Sequence, residues 1–88
     1  MVRTLWESRV TADQAGQTVA LEYYLLTEES DGMDMYGVEI RMCRGMACES
    51  KSRLRLTPQP SRATDLIQKL AAQTVTHTTL DEVLRDLL

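Results

Sequence analysis

The spacing of apolar residues changes once along the chain, at Thr57-Pro58-Gln59-Pro60-Ser61, and this change limits the fold more than any other feature. Before it, apolar and polar residues alternate with the period of two that a half-buried strand requires. Four such runs cover about residues 4–11, 17–27, 36–44 and 48–57. Between them lie Asp13-Gln14-Ala15-Gly16, Glu29-Ser30-Asp31-Gly32 and Arg44-Gly45-Met46-Ala47, each with a glycine suited to a turn. After the prolines the period becomes that of a helix. Ala63, Leu66, Ile67 and Leu70 form one apolar stripe, and Leu80, Val83, Leu84 and Leu87 form a second. Helices are expected over about 62–73 and 80–88. Ser61 reads as the cap of the first, with Asp65 in its first turn, and Thr79 with Glu82 reads as a capping box for the second. Short connections make the strands an antiparallel meander in the order 1-2-3-4, and two helices in series cover one of its faces. The expected fold is a single α+β domain spanning residues 1–88.

Parity predicts which side chains face the helices, because a slip of one residue inverts a strand. Leu25 is expected opposite Val38 and Tyr23 opposite Ile40, across a four-residue loop from Ser30 to Met33. Placing Val38 opposite Leu54 needs an odd loop, Gly45-Met46-Ala47. The expected core is Trp6, Val10, Val19, Leu21, Tyr23, Leu25, Val38, Ile40, Met42, Leu54, Leu56 and the two helix stripes. The other face then carries Glu7, Glu22, Arg41 and Lys51 in one row and Tyr24, Glu39 and Arg53 in the next.

Charge is divided along the chain. Residues 1–40 hold eight acids against two arginines, and residues 41–62 hold six bases against one acid. Such bipolarity suits a protein partner or self-association. Tyr24, Arg41, Lys51, Arg53 and Arg55 are the candidate interaction surface. The same basic strip beside Tyr24 offers single-stranded nucleic acid as the alternative ligand, although one aromatic makes a sparse stacking platform. Of the two edges, strand 4 is guarded by Lys51, Arg53 and Arg55, so strand 1 is the better seam for a dimer.

Several classes find no support in the sequence. No apolar run approaches the roughly 18 residues a membrane span needs, and the first residues lack the apolar segment of a signal peptide. Cys43 and Cys48 read as reduced thiols of a cytoplasmic protein, and in the expected register they point to opposite faces. They would supply half of a zinc site, but His77 is the one imidazole and there is no second cysteine pair. Met33, Met35, Met42 and Met46 scatter over turn, core and loop rather than forming a soft-metal stripe. His77, near Asp81 and Glu82, reads as a loop or packing histidine. With no converging catalytic set and no phosphate-binding glycine loop, the expectation is a non-enzymatic interaction or self-associating module without a cofactor.

At Tyr23-Tyr24-Leu25-Leu26, at Tyr36-Gly37-Val38-Glu39-Ile40, and from Val75-Thr76 through Leu80-Asp81-Glu82-Val83-Leu84-Arg85-Asp86-Leu87-Leu88, the chain resembles a family of small domains of unknown function from Gram-positive bacteria. It departs from that pattern in carrying His77 where proline is frequent. The resemblance implies a small cytoplasmic α+β protein. It brings no activity, cofactor or catalytic residue.

Overall fold

The computed structural model describes residues 1–88. Strands β1 (Val2–Ala12), β2 (Thr18–Ser30), β3 (Met33–Arg44) and β4 (Ala47–Thr57) form one antiparallel sheet in the order β1-β2-β3-β4. Helix α1 (Pro60–Ala72), a 3-10 turn (His77–Thr79) and helix α2 (Leu80–Leu87) follow. Helix α1 lies across all four strands, and the 3-10 turn rests on β3 and β4. This is the expected α+β meander with two C-terminal helices.

The β2–β3 pair is the centre of the fold. Asp31 and Gly32 both have positive φ, 53° and 76°, as a type I′ turn demands, and that turn matches the twist of the strands it joins. It sets Leu25 opposite Val38 and Tyr23 opposite Ile40, as parity expects. Leu21, Tyr23, Val38 and Ile40 then present one apolar face to Leu66, Ile67, Leu70 and Ala71 of α1 and to Leu80 and Leu84 of α2. The Tyr23 hydroxyl donates to the Val75 carbonyl at 2.8 Å, tying the segment between the helices to the middle of the sheet. Burial pushes the Tyr23 phenol up to about 12. Met42, Leu56, Val83 and Leu87 border this core.

Both edge strands depart from the expected register. On β1, Leu5 pairs with Tyr24 but Glu7 pairs with Tyr23, so Trp6 is an extra residue in a bulge. One extra residue reverses parity. Glu7, Arg9 and Thr11 therefore face the helix side, while Val10 turns away and is 74% exposed. Trp6 is 42% exposed, so neither Trp6 nor Val10 is the core residue expected.

The β3–β4 hairpin closes with two residues, not three. Arg44 pairs with Ala47 around Gly45-Met46, with Gly45 first in the turn at φ 60°, the type II′ arrangement. The pairing consequently sets Arg53, not Leu54, opposite Val38, and Leu54 is half-exposed. Cys43 and Cys48 stand directly opposite each other, 4.1 Å apart at Cα, and form a disulfide. The free thiols on opposite faces are thereby corrected: their separation depended on the longer loop. The cytoplasmic placement loses the support it drew from reduced cysteines. No helix is long and apolar enough to cross a membrane.

Further along β4, Tyr36 pairs with Thr57 and Val38 with Arg53, so β4 has two more residues than β3 in that interval. Arg55 sits there with φ 56°. The irregularity brings the β4 backbone over Gly37. A Cβ on Gly37 would lie inside the van der Waals envelope of the Arg53 carbonyl and 2.9 Å from the Leu54 Cα.

The helix caps also differ from expectation. Pro60 opens α1, where its missing N–H costs nothing, and Gln59 is the capping residue. Ser61 is inside the helix, and Asp65 pairs with Lys69 instead. Thr79 makes no side-chain cap to α2, because the 3-10 turn leads directly into it.

Two substitutions test this packing. Gly37→Ala forces the bulge away and is expected to cost about 1–3 kcal/mol in urea unfolding; an unchanged midpoint would contradict the close approach. Tyr23→Phe leaves the Val75 carbonyl unpaired and is expected to cost about 1–2 kcal/mol. In the parent protein, stability should fall as pH rises above 10, where an exposed phenol ionises but Tyr23, held near 12, resists. Tyr23→Phe should weaken that alkaline loss.

Candidate interaction surface and the site around His77

The five residues of the expected interaction surface do not share one face. Tyr24 and Arg41 lie on the face away from the helices, with Glu22 and Glu39. Tyr24 is buried there without help from a helix: the Arg3 guanidinium lies 3.7 Å over its ring and bonds Glu39 at 2.6 Å. This stacked arrangement covers the ring with the edge strand's own side chain. Leu26, 1% exposed on the same face, lies between Arg3 of β1 and the bare Gly37 of β3. Arg41 pairs with Glu22 at 3.4 Å and Arg55 with Glu28 at 2.9 Å.

Lys51 and Arg53 instead stand on the helix side, opposite Ile40 and Val38. Both reach Asp81 in the first turn of α2, Lys51 at 3.1 Å and Arg53 in a direct ion pair. The expected rows of charge on one solvated face are corrected here: the two-residue hairpin turn puts this part of β4 on the other side. No continuous basic strip is formed, and each of these four cations already holds a carboxylate.

Another cluster of polar groups lies at the end of the sheet where β1 meets β2 and β3 meets β4. His77, 8% exposed, hydrogen-bonds through Nε2 to the Glu49 carboxylate at 2.8 Å. Its Nδ1 is buried without a partner. Arg44 pairs with Asp13 at 3.0 Å. The Asp13 side chain also accepts the backbone N–H groups of Ala15 and Gln17, both at 2.9 Å, and these bonds, Gln17's first, hold its carboxyl below the usual carboxylate range. A cavity of about 380 Å³ opens between these groups, with Met42 and Val19 in its wall beside Thr11 and Thr76. The sequence puts His77 near Asp81 and Glu82, whereas its partner is Glu49, 28 residues away. The hydrophobic pattern carries no trace of that pairing, which follows from the hairpin register.

Asp81 gives a pH test. The hydrogen bonds from Arg53 and then Lys51 hold its carboxyl below its ordinary 3.8. A depressed folded-state value means that the link between α2 and β4 contributes fully above 3.8 and fades as pH falls through the lower value. Amide exchange in α2 should therefore accelerate in acid below that point. Asp81→Asn should show the faster exchange already at neutral pH and lose the acid step; retention of the step would assign it to another group.

The matching family model is described as a family of unknown function (DUF6514) and covers residues 2–88. No curated protein and no solved structure matches. With the match extending through the sheet and both helices, the chain belongs to this family of unknown function.

Proposed function

We propose that the protein is a non-enzymatic module that first associates with a second copy of itself through the free edge of β1. The observation that carries this reading is the composition of that edge. β1 is an outer strand of 11 residues, and its Val2, Leu5, Trp6 and Val10 are all exposed. A long edge strand with apolar side chains is a template for pairing with another strand. The other edge is poorer: β4 is interrupted near Arg55, and Lys51 and Arg53 are engaged with α2.

The β1 sequence is also self-complementary. With two copies antiparallel about Ser8, Glu7 of one faces Arg9 of the other, and Trp6 of one faces Val10 of the other. Glu7 and Arg9 already pair within the chain at 2.6 Å, on the helix side of the strand. Exchanging these partners across a two-fold axis keeps every charge matched. The exposed apolar residues would be withdrawn from water at the same time.

Light scattering after size exclusion tests the proposal. The expected mass is that of a dimer, retained at high salt because strand pairing and apolar contact persist when charges are screened. Glu7→Arg should give monomer, and Glu7→Arg with Arg9→Glu should restore the dimer. A monomer at all concentrations, or a dimer indifferent to Glu7→Arg, would overturn the reading.

A further inference from the structure

We propose that the Cys43–Cys48 pair is a reversible thiol–disulfide exchange site whose co-reactant is a low-molecular-weight thiol, and that its state determines whether Glu49 is held against His77 at the end cavity. Beyond the cysteines the hairpin contains one more ladder pair, Arg44 with Ala47, and the turn. Behind them β4 continues as Glu49-Ser50-Lys51-Ser52, polar residues with weak strand preference. Ser50 and Ser52 lie opposite Arg41 and Glu39, so no apolar packing secures this stretch on the open face. It is also an edge strand, with ladder bonds on one side alone. The disulfide is the covalent tie in this part of the sheet, beside the polar contacts of Lys51 with Asp81 and Glu49 with His77.

The residues next to the cysteines make the contacts that close the end of the molecule. Arg44 follows Cys43 and pairs with Asp13 of the β1–β2 connection. Glu49 follows Cys48 and bonds His77. The Glu49 side chain is 71% exposed while that of His77 is 10% exposed, so an otherwise free carboxylate is steered onto a buried ring by the backbone beneath it. All of these residues except the cysteines border the cavity. The bond and the cavity are on opposite sides of the same hairpin.

The rest of the fold does not use the disulfide. The core is made by β2, β3 and the helices on the other face. The ring closed by the bond is short, which limits its effect on the unfolded chain. A folded reduced state is therefore accessible. Cys48 is exposed and Cys43 half-buried, with no helix over that face. The thiolate of the small thiol attacks Sγ of Cys48, forming a mixed disulfide as the Cys43 sulfur leaves as thiolate and takes a proton. A second thiolate attacks the outer sulfur of the mixed disulfide, releasing the small-molecule disulfide and the Cys48 thiolate, which is protonated in turn. Two electrons pass to the protein, and two small thiols are oxidised for each pair reduced.

The test is equilibration of the full chain with mixtures of reduced and oxidised glutathione, followed by alkylation and mass measurement, with the His77 ring resonances recorded for each state. The expected result is conversion of the pair across the mixtures with the far-UV circular dichroism unchanged. On reduction, the ring resonances should shift to the positions seen in oxidised Glu49→Gln, in which the contact is weakened directly. Cys43→Ser with Cys48→Ser should give the same shifts under oxidising conditions. If the pair resists every mixture until the chain unfolds, it is a fixed staple and the proposal fails. Reduction that leaves the His77 resonances in place would equally overturn the link to the cavity.

Discussion

The pairing of β2 with β3 is the constraint on which the other elements depend. Once Asp31-Gly32 turns the chain, Leu21, Tyr23, Val38 and Ile40 form a continuous apolar surface, and both helices must lie against it to leave water. The Tyr23 hydroxyl then fixes where the chain passes from one helix to the other, since it donates a hydrogen bond to the Val75 carbonyl. That bond places the 3-10 turn, and with it His77, over the end of β3 and β4. A short helix such as α2 has little stability alone, so its position is set by Leu80 and Leu84 in this core and by Asp81 on β4.

The edges are built differently from the centre. β1 and β4 each carry an irregularity, and beyond its backbone ladder each is tied down by polar groups: Arg3 across Tyr24 to Glu39, Lys51 and Arg53 to Asp81, and Arg55 to Glu28. Exposed ion pairs of this kind are individually weak and sensitive to solution conditions. The chain therefore concentrates its stability in one strand pair and α1 and leaves its margins adjustable. The proposed dimer seam and the proposed exchange site both lie on those margins.

The legible part of the fold is the part governed by parity and by the change of period. The change of period at Pro58 and Pro60 separates sheet from helices, and the alternation of Tyr23 and Leu25 with that of Val38 and Ile40 sets the central register; the loop between them has two residues, Asp31-Gly32, not the four expected, but the pairing is the same either way. The bulge at Trp6 was not legible, because a tryptophan in alternation with Ser8 and Val10 reads as a core residue until one extra position reverses the strand. The same reliance on unbroken alternation misread the second hairpin. Aligning Leu54 with Val38 demanded a three-residue loop, whereas Gly45 supports a two-residue turn and the β4 irregularity absorbs the mismatch. That single error hid the Cys43–Cys48 bond, moved Lys51 and Arg53 to the wrong side and concealed the Glu49–His77 contact. Long-range polar pairs are set by register, so they inherit every error in it.

Residue-resolved native-state hydrogen exchange tests most directly the claim that a stable centre carries adjustable edges. The account expects the slowest amides in β2, β3 and α1, exchanging only with global unfolding, while β1 before Trp6, β4 from Glu49 to Ser52 and α2 open at lower free energy. Protection spread evenly over all four strands and both helices, or slowest in β4, would contradict it.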